Sequence, residues 1–407
     1  MVATAENGPR GPGDDRAGSD PAPPATTAPG ATASGASAPD ADAFADRLFA
    51  ATLGAIDVLA VHVGDRLGWY RALVDAGPLT STGLAERTGT HERYAREWLE
   101  QQAASGILAA EDPGAGPALA ADPVAAARER LYALPAAHAE VLTDTTSLSY
   151  LAPLTRFVGA IGPQLPHLLD AYRDGGGVSW DQLGDDAREA QAEVNRPWFE
   201  RELVPTLAGV AAVHDVLSRP GARVVDVGCG FGWSTLALAR AYPEAVLHGV
   251  DVDRPSVAAA RAAAEEAGLA DRVTFHLADA AELGLVEPAG LPFDAAFAFE
   301  CVHDMPRPAA VLDAVRRAVR PDGVVVVMDE AVGEEFTAPA DDVDRVMYGY
   351  SLFVCLPDGL SSPPSVGTGT VMRPATLRRY AREAGFADVE VLPVDDFSFF
   401  RFYRLVP

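Results

Sequence analysis

A predicted strand, a glycine-rich turn and a predicted helix follow one another directly in the stretch VVDVGCGFGWSTLALA, residues 224–239. Glycines at such a turn let the backbone bend sharply, and they let a ligand approach main-chain atoms that a Cβ atom would shield. From Arg219 onward, apolar strands alternate with helical stretches. This alternation predicts an α/β fold with a doubly wound, Rossmann-like parallel sheet.

The spacing of the glycines restricts the ligand. The loop reads GxGxG rather than the dinucleotide fingerprint GxGxxG, and the chain lacks the GxxxxGK[ST] of an ATP-binding P-loop. The next predicted strand ends in Asp251 and Asp253, about 20 residues past the glycines, where a carboxylate can accept both ribose hydroxyls of a nucleoside. A third strand ends in Asp279, which can accept from an adenine amino group, and the small Ala280 leaves room for the ring.

These motifs resemble those of the class I S-adenosylmethionine-dependent methyltransferases, with VVDVGCGFG as the first motif, GVDVD as the second and LADAAE as the third. The resemblance runs from Arg219 to the C-terminus, where two further predicted strands match the antiparallel strand that closes the sheet of this family. It implies S-adenosyl-L-methionine as the cofactor. The residues that it places at the cofactor are Gly228, Gly230 and Gly232 around the amino-acid part, Asp251 at the ribose, and Asp279 and Ala280 at the adenine, with Asp226 bracing the loop. Asp253 and Glu300, at the ends of neighbouring predicted strands, are further candidate cofactor contacts.

Candidate catalytic residues follow the fourth and fifth predicted strands. Glu300, His303 and Asp304 come after FDAAFAF and lie at the carboxyl end of the sheet, where open α/β folds bind ligands. A histidine there can remove a proton from a hydroxyl that attacks a sulfonium methyl group. Asp329 or Glu330, at the end of GVVVVMDE, can orient its imidazole. Two interpretations of His303 stay open, a general base or part of the pocket wall, and Asp304 is predicted to be the N-cap of the next helix.

The same segment resembles the plant-type small-molecule O-methyltransferases. These have an HDW motif with a general-base histidine, a glutamate just past the fifth strand, and an N-terminal winged-helix dimerisation domain. This sequence has HDM at residues 303–305, Glu330 after the fifth strand, and GDRLGWYRAL and LTSTGLAERTG in the N-terminal region. The resemblance implies that His303 and Glu330 are catalytic, that the acceptor is a small molecule and that the protein is a homodimer. Met305 replaces the tryptophan of that family.

The N-terminal region has the layout of a winged helix-turn-helix, a motif that can place a helix in the major groove of DNA. Residues 84–102 carry three arginines but four glutamates, and the whole chain has a net charge of −26. Such a surface releases few counterions from a phosphate backbone. We therefore expect this region to serve in packing or subunit contact, and we expect neither a nucleic-acid nor a membrane partner.

Composition divides the chain into four predicted segments, namely a disordered tail (1–40), a winged-helix and dimerisation domain (41–147), a helical linker and pocket roof (148–218), and a methyltransferase domain (219–407). Trp198 of the linker is a candidate substrate contact. Met347 and Tyr350, in an insertion after the fifth strand, suit either a substrate lid or core packing.

The three cysteines have no CxxC spacing, which predicts no disulfide framework and no zinc site. We find neither a signal peptide nor a run of about 18 apolar residues without charges or breakers, so we predict a cytoplasmic protein without a membrane span.

The expected activity is methyl transfer to a small-molecule hydroxyl. Alternatives are N- or C-methylation or a non-methylating reaction with the same cofactor, and, from another class, a ligand-sensing transcription regulator.

Overall fold

The computed structural model describes residues 40–112, 122–286 and 292–407. The predicted disordered tail, 1–40, lies outside the described residues except for Asp40. The chain divides into two units, Met1–Ala51 and Thr52–Pro407, and the described part of the first unit consists of Asp40 and the start of helix α1. The second unit contains every strand described below.

The N-terminal region forms the predicted winged helix-turn-helix. Its elements are α1 (Ala41–Arg66), α2 (Trp69–Ala76), α3 (Ser81–Thr88), α4 (Glu92–Ala104), β1 (Ala109–Glu111), α5 (Pro123–Glu129), β2 (Leu131–Ala133) and α6 (Ala136–Thr143). Thr80 accepts a hydrogen bond from the Gly83 N–H and caps α3, while His91 caps α4 by accepting from the Arg93 N–H. Strands β1 and β2 pair antiparallel as the wing.

Among the described helices, α1 alone has the length and composition of a membrane span, with a mean hydropathy of 1.5 over its most apolar window. From the sequence we predicted no membrane span, because acidic and basic residues interrupt the helix at several points. Only 17% of that window is buried, so α1 presents an apolar surface. Helix α1 resembles a membrane span by its length and composition only.

A set of helices connects the winged region to the sheet. These are α7 (Ala152–Asp174), α8 (Trp180–Trp198), a π-helical turn (Phe199–Leu203), α9 (Val204–Ala208) and α10 (Ala211–Leu217). Helix α8 begins with a capping box, in which Ser179 and Gln182 exchange hydrogen bonds, and it kinks at Gly184. A buried ion pair joins α1 to α7, since Arg156 Nε donates to Asp65 Oδ2 at 2.7 Å.

The remaining strands form one seven-stranded sheet in the order β5-β4-β3-β6-β7-β9-β8. Their bounds are β3 (Arg223–Val227), β4 (Val246–Asp251), β5 (Val273–Leu277), β6 (Phe293–Phe299), β7 (Val319–Glu330), β8 (Asp388–Val391) and β9 (Phe400–Val406). The first five in this order run parallel, and β9 is antiparallel to both of its neighbours. This confirms the predicted doubly wound sheet with an antiparallel C-terminal strand.

Both faces of the sheet are buried. Successive side chains of β3 point to opposite sides, so Val224 joins one hydrophobic cluster and Val225 the other. The helices of this part are α11 (Trp233–Ala241), α12 (Arg254–Glu266), a 3₁₀ turn (Ala280–Glu282), α13 (Leu283–Val286), α14 (Pro308–Ala318), α15 (Asp342–Tyr350), a π-helical turn (Ser351–Cys355), α16 (Leu356–Leu360) and α17 (Pro374–Glu383).

The predicted role of Asp304 as an N-cap is wrong. Helix α14 begins at Pro308, and its N-cap residue Arg307 makes no side-chain capping bond. The fixed φ of a proline suits the first turn of a helix, so the helix starts after the turn that contains Asp304. The Asp304 carboxylate therefore caps no helix, and it lies 3.3 Å from His303 Nε2.

The Asp65–Arg156 pair predicts a stability effect. Replacing Asp65 by Ala leaves a guanidinium that is 8% exposed without its closest partner, and breaking a buried pair in this way costs about 3–5 kcal/mol. The free energy of unfolding, measured with guanidinium chloride, should fall by that amount. The control is Glu97→Ala, which breaks an exposed pair with Arg93 and should cost less than about 1 kcal/mol. Equal losses in both variants would contradict this account.

Candidate active site

A cavity of about 1350 Å³ opens at the carboxyl ends of the parallel strands. The predicted site residues that line it are Trp198, Gly228, Gly230, Asp251, Asp253, Asp279, Ala280, Glu300, His303, Glu330, Met347 and Tyr350. Asp226 and Gly232 do not line it. Ligand pockets typically measure about 300–1,000 Å³, so this cavity has room for two small molecules side by side.

The glycine loop is held from beneath by Asp226. This carboxylate is 1% exposed and accepts hydrogen bonds from Ser234 Oγ and Thr235 Oγ1, each at 2.6 Å. Burial raises the pKa of Asp226 to about 6. Gly232 begins helix α11 with a φ of 81°, and a Cβ atom there would lie 2.6 Å from the ring of Phe275. These two residues shape the loop rather than the cavity wall.

Gly230 occupies the part of the loop that faces the cavity. Its φ is 50°, and a Cβ atom there would enter open space with no atom within 4 Å. Main-chain atoms of the loop are thereby accessible to a ligand, as a cofactor with an amino-acid part requires. Gly230 N donates to Asp251 Oδ2 at 2.8 Å, which joins the loop to the end of β4.

The two acids that end β4 have different surroundings. Asp251 also accepts from the Asp253 N–H at 2.8 Å and lines the cavity, and burial raises its pKa. Asp253 caps helix α12 through the Ser256 N–H and accepts from Arg188 Nε at 2.9 Å. Burial opposes ionisation of Asp253, but the hydrogen bonds from Arg188 and Ser256 and the charge of Arg188 together outweigh it and lower the pKa. Asp253 therefore ties helix α8 to the sheet.

At the predicted adenine end, Asp279 and Ala280 follow strand β5. Asp279 accepts from the Ala281 N–H at 2.8 Å and from Arg307 Nη2 at 2.9 Å, and Ala280 is 7% exposed. Arg307 was not predicted from the sequence, because it follows a different strand. Its guanidinium lines the same end of the cavity.

His303 lies among three carboxylates, of which Asp329 and Glu330 are buried and Asp304 is half-buried. Its Nδ1 is 3.0 Å from Asp329 Oδ1 and 3.1 Å from Glu330 Oε2, and its Nε2 is 3.3 Å from Asp304 Oδ1. Burial alone would lower the pKa of His303, but the charges of Asp304, Glu330 and Asp329 together raise it well above the usual value. Burial raises the pKa of Glu330 as well, and the charge of Asp329 adds to it.

Glu300 adopts an unusual backbone conformation for a non-glycine residue, with a φ of 53°. Its carboxylate accepts a hydrogen bond from Asn195 Nδ2 of helix α8. Burial raises the pKa of Glu300 to about 8, and the charge of Glu330 adds to this effect. Strained residues of this kind cluster at ligand sites, which agrees with the predicted cofactor contact.

The three predicted substrate residues serve as packing and as cavity wall at the same time. Trp198 packs against Phe397 with ring centroids 5.4 Å apart, and Tyr350 packs edge-on against Phe157 at 5.5 Å. Met347 is 6% exposed and also lines the cavity. The two interpretations of the insertion, lid and core, therefore do not exclude each other.

Three further cavity residues were not predicted from the sequence. Cys355 lies near His303, Thr370 lies beside Cys355, and Asp358 accepts a hydrogen bond from the Trp180 N–H at 2.6 Å. Burial and the charge of Asp304 raise the pKa of Asp358 to about 7. No motif marks these residues, since they come from the insertion that follows the sheet strand β7.

Comparisons with known proteins identify the two halves of the chain. Residues 218–354 match a family model described as a methyltransferase domain, and residues 55–144 match one described as an Rv2258c-like winged helix-turn-helix domain. The mitomycin biosynthesis 6-O-methyltransferase of Streptomyces lavendulae is 31% identical over 307 residues, which cover 72% of this chain and 80% of that protein. The 27-O-demethylrifamycin SV methyltransferase of Amycolatopsis mediterranei is 33% identical over 31% of this chain and 46% of its own length.

Solved structures share the fold. A mitomycin 7-O-methyltransferase has a TM-score of 0.63 at 23% identity, covering 90% of this chain and 98% of its own. An O-methyltransferase from neocarzinostatin biosynthesis, in complex with S-adenosyl-L-homocysteine and 1,4-dihydroxy-2-naphthoic acid, has a TM-score of 0.57 at 20% identity, covering 86% and 96%. At these identities the likeness concerns the fold alone.

The glycine loop yields a prediction for cofactor affinity. In Gly230→Ala, the added methyl group enters the cavity where the cofactor's amino-acid part is expected, so S-adenosylmethionine should bind about tenfold more weakly or worse in a calorimetric titration. Gly221→Ala is the matched control, because Gly221 also has a positive φ and open space around the Cβ position but does not line the cavity. Both variants bear the cost of a left-handed alanine, about 1–2 kcal/mol. Unchanged affinity in Gly230→Ala would place the cofactor elsewhere.

Proposed function

The chain belongs to the small-molecule methyltransferases that use S-adenosylmethionine and carry an N-terminal winged-helix domain, and from this premise we propose that it methylates a hydroxyl group on a largely apolar, aromatic acceptor with His303 as the general base. The observation that carries the proposal is the position of His303. Its imidazole lines the same cavity as the glycine loop and is held by buried carboxylates at Nδ1.

The cofactor end of the cavity fits S-adenosylmethionine. Gly230 leaves the main chain of the loop accessible, Asp251 supplies a half-buried carboxylate at the expected ribose position, and Ala280 leaves space beside Asp279 for a flat ring. Glu300 supplies a further carboxylate. When bound there, S-adenosylmethionine supplies a methyl group on a positively charged sulfur. These residues bind and orient the cofactor, and positioning of this kind accounts for much of the barrier reduction in such reactions.

His303 is suited to take the proton of the acceptor. The Nδ1 proton is donated to Asp329, and the Glu330 carboxylate lies 3.1 Å from the same nitrogen, which fixes the tautomer and leaves Nε2 as the proton acceptor. The surrounding carboxylates stabilise the imidazolium that forms. The same charges also favour protonation of Nε2 in the free protein. Only those protein molecules whose Nε2 is unprotonated can therefore take the proton of the acceptor hydroxyl.

The charges on the cavity wall support an acceptor without an acidic group. Arg188 and Arg307 are the two arginines among the described lining residues, and both are already paired with aspartates. Asp304 lines the remaining part of the cavity, and its carboxylate would repel an acceptor carboxylate. The aromatic and aliphatic wall residues, Phe157, Met347 and Tyr350 among them, favour a flat apolar body.

The test of the proposed function is methyl transfer to a panel of hydroxylated aromatic acceptors, followed by mass spectrometry. In His303→Ala, the rate should fall about 10²- to 10⁴-fold because the general base is lost, while calorimetric affinity for S-adenosylmethionine is retained. His167→Ala is the control, since His167 is exposed and lies outside the cavity. A rate within about threefold of wild type for His303→Ala would mean that His303 is only pocket wall.

We further propose that the protein is a homodimer that assembles through helix α1. Leu53, Ile56, Leu59 and Val63 follow one another along one face of α1, and each is between 42% and 50% exposed. A continuous apolar stripe of this kind favours a partner surface. The family resemblance supports a second copy of this chain as that partner.

The dimer proposal predicts a change in mass. Light scattering should give twice the chain mass for the wild type, and Leu53→Glu combined with Ile56→Glu should shift the protein to the monomer, because two charges would be buried at the interface. Val391→Glu, an equally exposed apolar site on β8, should leave the mass unchanged. A monomeric wild type that floats with lipid vesicles would overturn the proposal in favour of a membrane.

We also propose a cytoplasmic location. The cysteines Cys229, Cys301 and Cys355 are all free, which supports a reducing compartment.

A further inference from the structure

Three side chains with different ligand atoms meet beside the proposed base. His303 Nε2, Asp304 Oδ1 and Cys355 Sγ all lie within 4.8 Å of one another. His303 and Asp304 come from the turn after β6, and Cys355 comes from the π-helical turn Ser351–Cys355. All three residues line the large cavity, so the group is accessible to a small ion.

We propose that these three atoms form a binding site for a thiophilic divalent cation such as Zn²⁺, with a fourth coordination position open to the cavity. Zinc is bound by thiolate, imidazole and carboxylate in near-tetrahedral geometry, and sites with three protein ligands keep one position open. Nε2 and Asp304 Oδ1 are 3.3 Å apart, a separation that suits two ligands of one tetrahedral ion. The Cys355 sulfur lies within 4.8 Å of both atoms, and it has to move closer to them to complete the site.

The opposite side of the imidazole is arranged as in zinc proteins. Metal-bound histidines almost always donate their other ring N–H to a carboxylate or carbonyl, which fixes the ring and makes it a better ligand. His303 Nδ1 has Asp329 Oδ1 at 3.0 Å and Glu330 Oε2 at 3.1 Å, and both carboxylates are buried. Nε2 is therefore directed toward Asp304 and the cavity, and its lone pair is available to an ion when the ring is neutral.

The charge of the site favours a cation. Asp304, Asp329 and Glu330 surround one imidazole, and in the described part of the chain no arginine lies within 4.0 Å of any of the three carboxylates. Asp304 Oδ1 is buried without a hydrogen-bond donor. A divalent ion would offset this excess of negative charge, and the open position would give it a water ligand.

Thr370 provides an independent observation at the same place. Its side chain is 2% exposed, lines the cavity, and lies beside the Cys355 thiol. The hydroxyl Oγ1 is buried and makes no hydrogen bond with another of the described residues. A hydroxyl in this position can donate to a metal-bound thiolate, which bears more negative charge than a thiol.

The thiolate and imidazole ligands determine which metal ions the site prefers. Mg²⁺ and Ca²⁺ prefer oxygen ligands, whereas sulfur and nitrogen select zinc and its heavier congener cadmium. On binding, the Cys355 thiol and the protonated imidazole of His303 each release a proton to solvent, and sulfur, Nε2 and the carboxylate oxygen each donate an electron pair to the ion. No group is oxidised or reduced.

Occupancy of this site would inhibit methyl transfer, and this consequence rests on the proposed function. A metal ion on Nε2 occupies the lone pair that would accept the acceptor's proton. Binding of the ion itself does not depend on any methyl transfer. The two parts can therefore be tested separately.

The test of binding is a titration of the untagged full-length protein with Cd²⁺, followed by the thiolate-to-metal charge-transfer absorption in the near ultraviolet. We expect one equivalent to give this band in the wild type and in Cys229→Ser, a control that removes a cysteine outside the cluster. Cys355→Ala should lose the band, and Asp304→Asn should weaken the affinity at least tenfold. No band in the wild type, or an equal band in Cys355→Ala, would overturn the proposal.

The test of inhibition uses Zn²⁺ in the methyl-transfer assay. The wild-type rate should fall with zinc and recover on addition of a chelator. For Cys355→Ala, the zinc concentration that halves the variant's own zinc-free rate should be at least tenfold higher than for the wild type. If cadmium binds as expected but zinc leaves a measurable wild-type rate unchanged, the inhibitory role is wrong. If cadmium binds and no acceptor is methylated, the proposed function fails while the metal site stands.

Discussion

The buried carboxylate of Asp226 is the interaction on which the cofactor end of the site depends. It lies at the end of β3 and accepts from two hydroxyls at the start of α11, so it connects the strand to the helix across the glycine loop. The loop between them has no side chains at positions 228, 230 and 232 with which to hold its own shape. With strand and helix fixed, Gly230 can present its main chain to the cavity and donate to Asp251, which in turn sets the position of the ribose carboxylate.

Negative charge is concentrated at the other end of the cavity for a different reason. Parallel strands place their carboxyl ends at one edge, so the acids that follow β6 and β7 come together whether or not a cation is present. One imidazole then faces three carboxylates, and its proton affinity rises. The proposed base and the proposed metal site are two consequences of this single arrangement, since a group that attracts a proton strongly also attracts a metal ion.

Much of this arrangement could be predicted from the sequence, because apolar runs that end in an acid mark strand ends in a parallel sheet. Asp251, Asp279, His303 and Glu330 were placed in this way, and each lines the cavity. Contacts between distant segments could not be predicted. Arg188 and Asp253 are 65 residues apart, and nothing in either local pattern indicates that they pair. The error at Asp304 was local, since the sequence does not show that α14 would begin only at Pro308.

Helix α8 connects the winged region to the sheet. Arg66, near the end of α1, pairs with Asp186 and Glu189 on α8. Farther along α8, Arg188 binds Asp253 after β4, and Asn195 donates to Glu300 after β6. One helix therefore contacts the winged region, the ribose end and the strained residue beside the base. Because these contacts are on the same rigid element, a shift of the winged region would move both ends of the cavity, and the shape of the acceptor site depends on residues that never touch the acceptor.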